Sequence, residues 1–211
     1  MRLHQLPFFI PSLYPNRIWK GPSLEQKITL TFDDGPVPGI TDWVLEELEK
    51  RGMKATFFMV GDNVRKHPAL AQAVVAAGHQ LGNHTYHHLS GWKTATQTYL
   101  DDVASCDSIL ADTVGKTPRF FRPPNGWMSQ GQARGIELAK KIVMWNLLSY
   151  DFDSNVSSEI LIRACASRTA PGTIVVFHDQ QKTQAQLKRL LPSYLDFLLA
   201  ESFTTQLLEG E

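Results

Sequence analysis

The chain has 211 residues, with 21 Lys and Arg against 21 Asp and Glu, no formal net charge, and only two cysteines. That length suits one domain, residues 1–211, and no Pro/Gly/Ser-rich stretch or charge run marks an internal boundary. The charge balance and the lack of a basic stripe exclude nucleic acid as a partner, and no apolar run approaches the ~20 residues of a membrane helix. Prolines interrupt residues 1–15 where a signal peptide needs an unbroken apolar core, so the expected location is cytoplasmic. Cys106 and Cys165 lack any paired metal spacing and read as packed, reduced thiols.

After an irregular opening, residues 28–32 read as a first buried strand. A turn-rich loop over 35–39 leads to Thr41, a plausible N-cap for a helix whose apolar face carries Val44, Leu45 and Leu48. Residues 55–60 are a second strand, and a helix over 68–77 has Pro68 in its first turn and Gly78 at its end. Residues 79–83 form the third strand, and 94–114 carry helical spacing through Tyr99, Val103, Cys106, Ile109 and Leu110, stopped by Gly115. Phe120-Phe121 begins the fourth strand, 130–141 is helical, and 142–146 is the fifth strand. Helix over 157–168, strand over 173–177 and a last helical region over 183–200, which Pro192 should break or kink, precede a seventh strand at 203–208. Strands alternating with helices predict an α/β protein with a parallel sheet or barrel. About seven units, one short of the regular eightfold closure, predict an incomplete or distorted (β/α) barrel.

Polar clusters stand where the strands give out: Asp33-Asp34, His84 to His88, Arg122, Asp151 and His178-Asp179. A parallel sheet or barrel would gather them at one end. His84 and His88 are four apart, a spacing that lets two imidazoles grip one cation, although a His84/His87 pair satisfies spacing as well. One of Asp33 and Asp34 would complete a His/His/Asp triplet with an open position for water, and the other would remain as general base. His178 could protonate a departing amine or alcohol, with Asp151 orienting its ring and Arg122 aiming the base. Taken singly, each cluster has a plainer reading: a turn for Asp-Asp-Gly, a strand-to-loop transition for His178-Asp179, a surface role for the histidines. Their joint placement points to a metal-dependent hydrolase. His4, His67 and His79 have no acidic neighbours and read as surface or core residues.

Five segments, Thr31-Phe32-Asp33-Asp34-Gly35-Pro36, His84-Thr85-Tyr86-His87-His88, Arg122-Pro123-Pro124-Asn125-Gly126, Trp145 through Asp151 and Val175-Val176-Phe177-His178-Asp179, resemble the ordered motifs of polysaccharide deacetylases. This is the NodB-homology superfamily, carbohydrate esterase family four, and the resemblance runs from about residue 30 to residue 179. It implies a distorted (β/α) barrel and the removal of acetyl groups from N-acetylated sugars such as chitin oligosaccharides or peptidoglycan. It also implies a divalent metal, zinc foremost with cobalt or nickel as substitutes, held by Asp34, His84 and His88. Asp33 would then deprotonate the metal's water, His178 would protonate the amine, Arg122 would pair with Asp33, and Asp151 would orient His178. The backbone N–H of Asn125 would hold the oxyanion with the metal, and Pro124, Phe152 and Trp127 would join Asn125 in contacting substrate.

The chain departs from the family pattern twice. Asn125 stands where tyrosine is usual, which alters substrate contacts but not a backbone donor. Phe152 stands where tryptophan is usual, which keeps an aromatic wall and loses the indole N–H. Trp92 and Trp127 read either as sugar-stacking surfaces or as core side chains. The leading expectation is N-deacetylation of an acetylated carbohydrate; an O-acetyl esterase or small-metabolite amidase on the same fold is the alternative. A non-catalytic glycan-binding relic would have no need of both a base and an acid.

Overall fold

A computed structural model describes residues 9–23 and 25–209, and its central element is β1 (Lys27–Asp33), buried at every residue after Lys27. Burial without alternation is the pattern of a strand covered on both faces. Its parallel neighbours are β2 (Ala55–Met59) and β7 (Ile174–His178), in a register that sets Asp33 beside Phe58 on one side and His178 on the other. β3 (Gln80–Asn83), β4 (Phe120–Phe121) and β5 (Lys141–Ile142) follow outward from β2, while β6 (Leu147–Leu148) lies beyond β7. β8 (Thr204–Thr205) pairs with the start of β1, and every ladder is parallel.

The path ends at β5 on one side and β6 on the other, yet only residues 143–146 separate these two strands in the chain. The sheet therefore curls back until its ends are two halves of one extended stretch, which makes the distorted, incomplete (β/α) barrel that the alternation predicts. The expected fifth strand over 142–146 is divided, because its first part pairs with β4 and the stretch after residue 146 pairs with β7. Such a change of partner is tertiary and leaves no mark on local periodicity.

Helices α2 (Thr41–Glu49), α4 (Pro68–Ala76), α5 (Thr96–Val114), α6 (Gln130–Glu137), α7 (Ser158–Ala166) and α8 (Gln184–Ala200) lie between the strands, with short α1 (Ile10–Leu13) and α3 (Gly61–Lys66) added. The six-residue α3 is too brief to show an apolar stripe and was not expected. Thr41 is not an N-cap but the first helical residue; its hydroxyl accepts the Val37 N–H at 2.8 Å and donates to buried Asp179. Pro192 does not break α8, whose buried face of Leu187, Leu190, Leu191, Tyr194, Leu195 and Leu198 outweighs one missing hydrogen bond. Gly115, at φ 71°, ends α5 in the left-handed conformation. The seventh strand shrinks to β8.

Phe32 stacks between Phe57 and Phe177 at centroid distances of 5.0 and 5.8 Å, fixing β1 within the core. Cys106 and Cys165 are buried and free. His79 is a core residue that accepts the Ala55 N–H, and burial pulls its pKa down to about 4; His67 is half-buried, and His4 lies outside the described residues. Among the described residues, no helix is long and apolar enough to cross a membrane.

Candidate active site

The C-terminal ends of β1, β3, β4, β6 and β7 deliver the five clusters to one place. β1 ends at Asp33, and Asp34 follows at φ 83°, a turn that sends the two carboxylates to different partners. Asp33 Oδ1 receives Arg122 Nη1 at 2.7 Å. Arg122 is fully buried, and its guanidinium also donates to the Thr31 hydroxyl and to the carbonyls of Val143 and Met144, lying over the Phe58 ring at 4.2 Å. Those two carbonyls fall in the stretch where the barrel ladder lapses, so Arg122 satisfies backbone acceptors that no strand reaches.

The loop from His84 to His88 turns through left-handed residues at Thr85 (φ 64°) and His88 (φ 55°). It is held by Asp102 of α5, which accepts the N–H groups of Tyr86 and His87 and lies 2.6 Å from His87 Nδ1. His87 is thereby drawn outward, its side chain 63% exposed, and the two spacings open in the sequence resolve to His84 and His88. His84 Nε2 and His88 Nε2 stand 3.4 and 3.0 Å from Asp34 Oδ1.

Whether a cation fits here is decided by protons. His84 Nδ1 is 2.8 Å from the carbonyl oxygen of Arg122, which can only accept, so Nδ1 carries a hydrogen and the neutral ring presents its lone pair at Nε2. Asp34 Oδ1 is buried and accepts no hydrogen bond. Burial opposes ionisation of Asp34, yet when the His84 and His88 rings carry protons toward it their hydrogen bonds, with the charge of His178, hold its carboxyl well below the usual range. The three potential ligand atoms converge within 4.8 Å of one another, an arrangement that suits a divalent cation. The second Asp34 oxygen receives the amide of Gln180.

Opposite Asp33, His178 ends β7. The Asp151 carboxylate accepts the His178 backbone N–H at 2.7 Å and holds the ring at Nδ1 at 2.8 Å. Burial works against a charged ring there, but Asp151, then Asp34 and Asp33, push its pKa up to about 9. Phe152 meets the ring edge-on at 5.5 Å.

A cavity of about 390 Å³ is lined by Asp33, Asp34, His84, His88, His178, Asn125 and Phe152, with Trp145, Leu148 and Val176 as apolar lining and Gln180 and Lys182 as further polar lining. Arg122 and Asp151 stand behind this lining. Asn125 occupies the left-handed region (φ 57°), which asparagine tolerates better than tyrosine, and Gly126 packs so tightly on Trp145 that a Cβ would lie 2.5 Å from its ring. Pro124 is buried within this turn and does not line the cavity, and Trp127 lies outside it. Sequence reading missed Asp102, Gln180, Thr31 and the task of Asp179. Gln180 was signalled only by adjacency to the last cluster, and Asp102 by nothing local. Asp179 accepts the Gly35 N–H and the Thr41 hydroxyl in a buried setting, where desolvation lifts its pKa to about 8.

Residues 20–141 match the family model described as polysaccharide deacetylase. A peptidoglycan-N-acetylglucosamine deacetylase from Bacillus cereus is 32% identical over 180 residues, covering 82% of this chain and 84% of that protein. A second from the same organism is 32% identical over 161 residues, covering 76% of this chain; the chain spans only 58% of that relative's length. The solved structure of a peptidoglycan N-acetylglucosamine deacetylase in complex with 4-naphthalen-1-yl-N-oxidanyl-benzamide gives a TM-score of 0.86 at 28% identity, covering 96% of this chain and 94% of that one. The chain belongs to the polysaccharide deacetylase family, as its motifs implied.

Proposed function

We propose that this protein is a metal-dependent hydrolase that removes the acetyl group from N-acetylated sugar residues of a glycan chain, with peptidoglycan-type or chitin-type N-acetylglucosamine as the substrate class. The observation that carries this reading is the convergence of three potential ligand atoms, from Asp34, His84 and His88, between a base candidate at Asp33 and an acid candidate at His178. The similarity to peptidoglycan-N-acetylglucosamine deacetylases of Bacillus cereus supports N-acetylglucosamine as the sugar.

A divalent cation held by Asp34, His84 and His88, zinc foremost with cobalt or nickel able to replace it, would supply a Lewis acid that acidifies water and polarises a carbonyl. Asp33, with one oxygen tied to Arg122, offers the other to the proton of the attacking water. The Asn125 N–H, set by its left-handed turn, is the donor offered to the oxyanion. His178, held by Asp151, which favours its protonated ring, is the group placed to give a proton to the departing amine nitrogen. Trp145, Leu148 and Val176 present the apolar surface that an acetyl methyl group requires.

Acetate release would be measured from N-acetylglucosamine oligomers, peptidoglycan and acetylated xylan, with protein stripped of metal and reloaded with zinc or cobalt. Metal-dependent release from the first two supports the proposal. Release from acetylated xylan alone would replace it with the O-acetyl esterase reading. Release from none of them, with metal bound, would replace it with the small-metabolite amidase or the non-catalytic reading.

A further inference from the structure

Trp92 and Trp127 are left 71% and 59% exposed, while Trp19 and Trp145 pack into the protein. Their rings meet edge to face, with centroids 5.5 Å apart and planes at 86°, so that they form two walls at a right angle. This answers the alternative left open by the sequence: neither is a core side chain. Large aromatic surface in water is unfavourable unless something covers it.

The pair is also rigidly presented. Gly91 lies directly beneath the second loop, where a Cβ would stand 2.6 Å from Trp127 O and 2.7 Å from Met128 Cα. Gln132 braces both loops: its amide donates to the carbonyls of Gly91 and Thr94 at 3.0 Å each, and its oxygen accepts the Ser129 N–H at 2.8 Å. The Thr94 hydroxyl closes the first loop onto Ser90 O at 2.8 Å. Both loops spring from the catalytic cavity, since Trp127 directly follows cavity-lining Gly126, and Trp92 comes four residues after cavity-lining His88.

We propose that Trp92 and Trp127 form a sugar-binding subsite that holds a pyranose ring of the same glycan next to the residue being deacetylated, so that the enzyme selects chains over single sugars. The proposal rests on the deacetylase reading above. A pyranose offers an apolar C–H face to an indole while its equatorial hydroxyls stay in water, and rigid aromatic walls lose little entropy on binding it. Two indoles present at most a few hundred Å², well short of the ~800 Å² per partner that a stable protein interface buries. Continuity with the cavity and small area both favour a sugar ring of the substrate over a protein.

The test compares kcat/KM for N-acetylglucosamine oligomers of increasing length with kcat/KM for a small acetyl ester, in zinc-loaded wild type, Trp92→Ala, Trp127→Ala and the two Trp→Phe variants. The wild type should gain with chain length. The alanine variants should lose about 3- to 10-fold on long oligomers, mainly through KM, with the small ester unchanged and phenylalanine restoring most of the loss. A wild type indifferent to length, alanine variants that keep full activity on long oligomers, or equal losses on both substrates would overturn the subsite. If the wild type releases no acetate at all, the deacetylase reading falls separately. The subsite is then judged by indole emission on adding the oligomers: a shift abolished by Trp127→Phe or Trp92→Phe supports it, and no shift overturns it.

Discussion

Asp33 and Arg122 form a 2.7 Å ion pair that is almost wholly buried, their side-chain exposures being 6% and 0%. The same guanidinium donates to Val143 and Met144 carbonyls at the lapse in the barrel, so the group that holds the proposed base also completes the backbone. Arg122→Ala leaves the Asp33 carboxylate buried without its partner and two carbonyls unmet, and should cost about 3–5 kcal/mol of stability. Arg122→Lys keeps a charge but loses the planar fork, and should recover only part of it. Chemical denaturation measures both; an alanine variant as stable as the wild type would contradict this account of the seam.

The proposed base and the proposed metal ligands should separate cleanly. Asp33→Asn is expected to retain zinc at wild-type stoichiometry and to lose about a hundredfold or more in kcat, whereas His88→Ala should lose the zinc itself. Metal analysis after dialysis decides it, and zinc retained by His88→Ala would mean that the ligand set is wrong.

Alkaline pH should weaken the metal-free protein through two groups. His178 is raised from 6.5 to about 9, so its contribution is complete below pH 6.5 and lost as pH rises through about 9. Asp179 is raised from 3.8 to about 8, so its contribution is complete below pH 3.8 and lost as pH rises through about 8. Thermal unfolding from pH 6 to 10 should therefore fall steadily, and less steeply in His178→Gln. In the loaded enzyme the cation offsets the charge of Asp34, so the alkaline limb of kcat/KM should lie below pH 9 and move lower still in Asp151→Asn. An unmoved limb would remove His178 from the role of acid.

Asp102 touches no cavity residue except through the loop it clamps. Asp102→Ala releases two backbone N–H groups and the His87 ring, and should cost about 1–3 kcal/mol of stability. It should also weaken zinc binding, read by competition with a chelating dye. Wild-type zinc affinity in this variant would show that the ligand loop keeps its shape without the clamp.

Asp33, His178 and Arg122 were legible as neighbours because they follow runs that read as buried strands: 28–32, 173–177 and the aromatic pair at 120–121. Parallel pairing then brings their far ends together. What stayed hidden depends on partners distant in the chain. The Thr41 hydroxyl has the chemistry of a cap, but Asp179, 138 residues away, takes it. Asp102 looks like any acidic residue of an amphipathic helix until the loop 15 or 16 residues before it folds back. The stretch over 141–148 has one local character and two sheet partners. Trp127 sits beside the third motif, so its sequence position resembles that of a cavity residue, while the turn at Asn125 and Gly126 carries it outside.

Arg122 also serves His84, whose Nδ1 lies 2.8 Å from the arginine's own carbonyl oxygen. One residue after a two-residue strand therefore orients the proposed metal ligand His84 with its backbone and the proposed base Asp33 with its side chain. The two halves of the chemistry cannot drift apart: any displacement of this residue alters both by the same movement. Random change in the surrounding barrel should thus extinguish the site in a single step, leaving few chains in which one half survives at reduced strength.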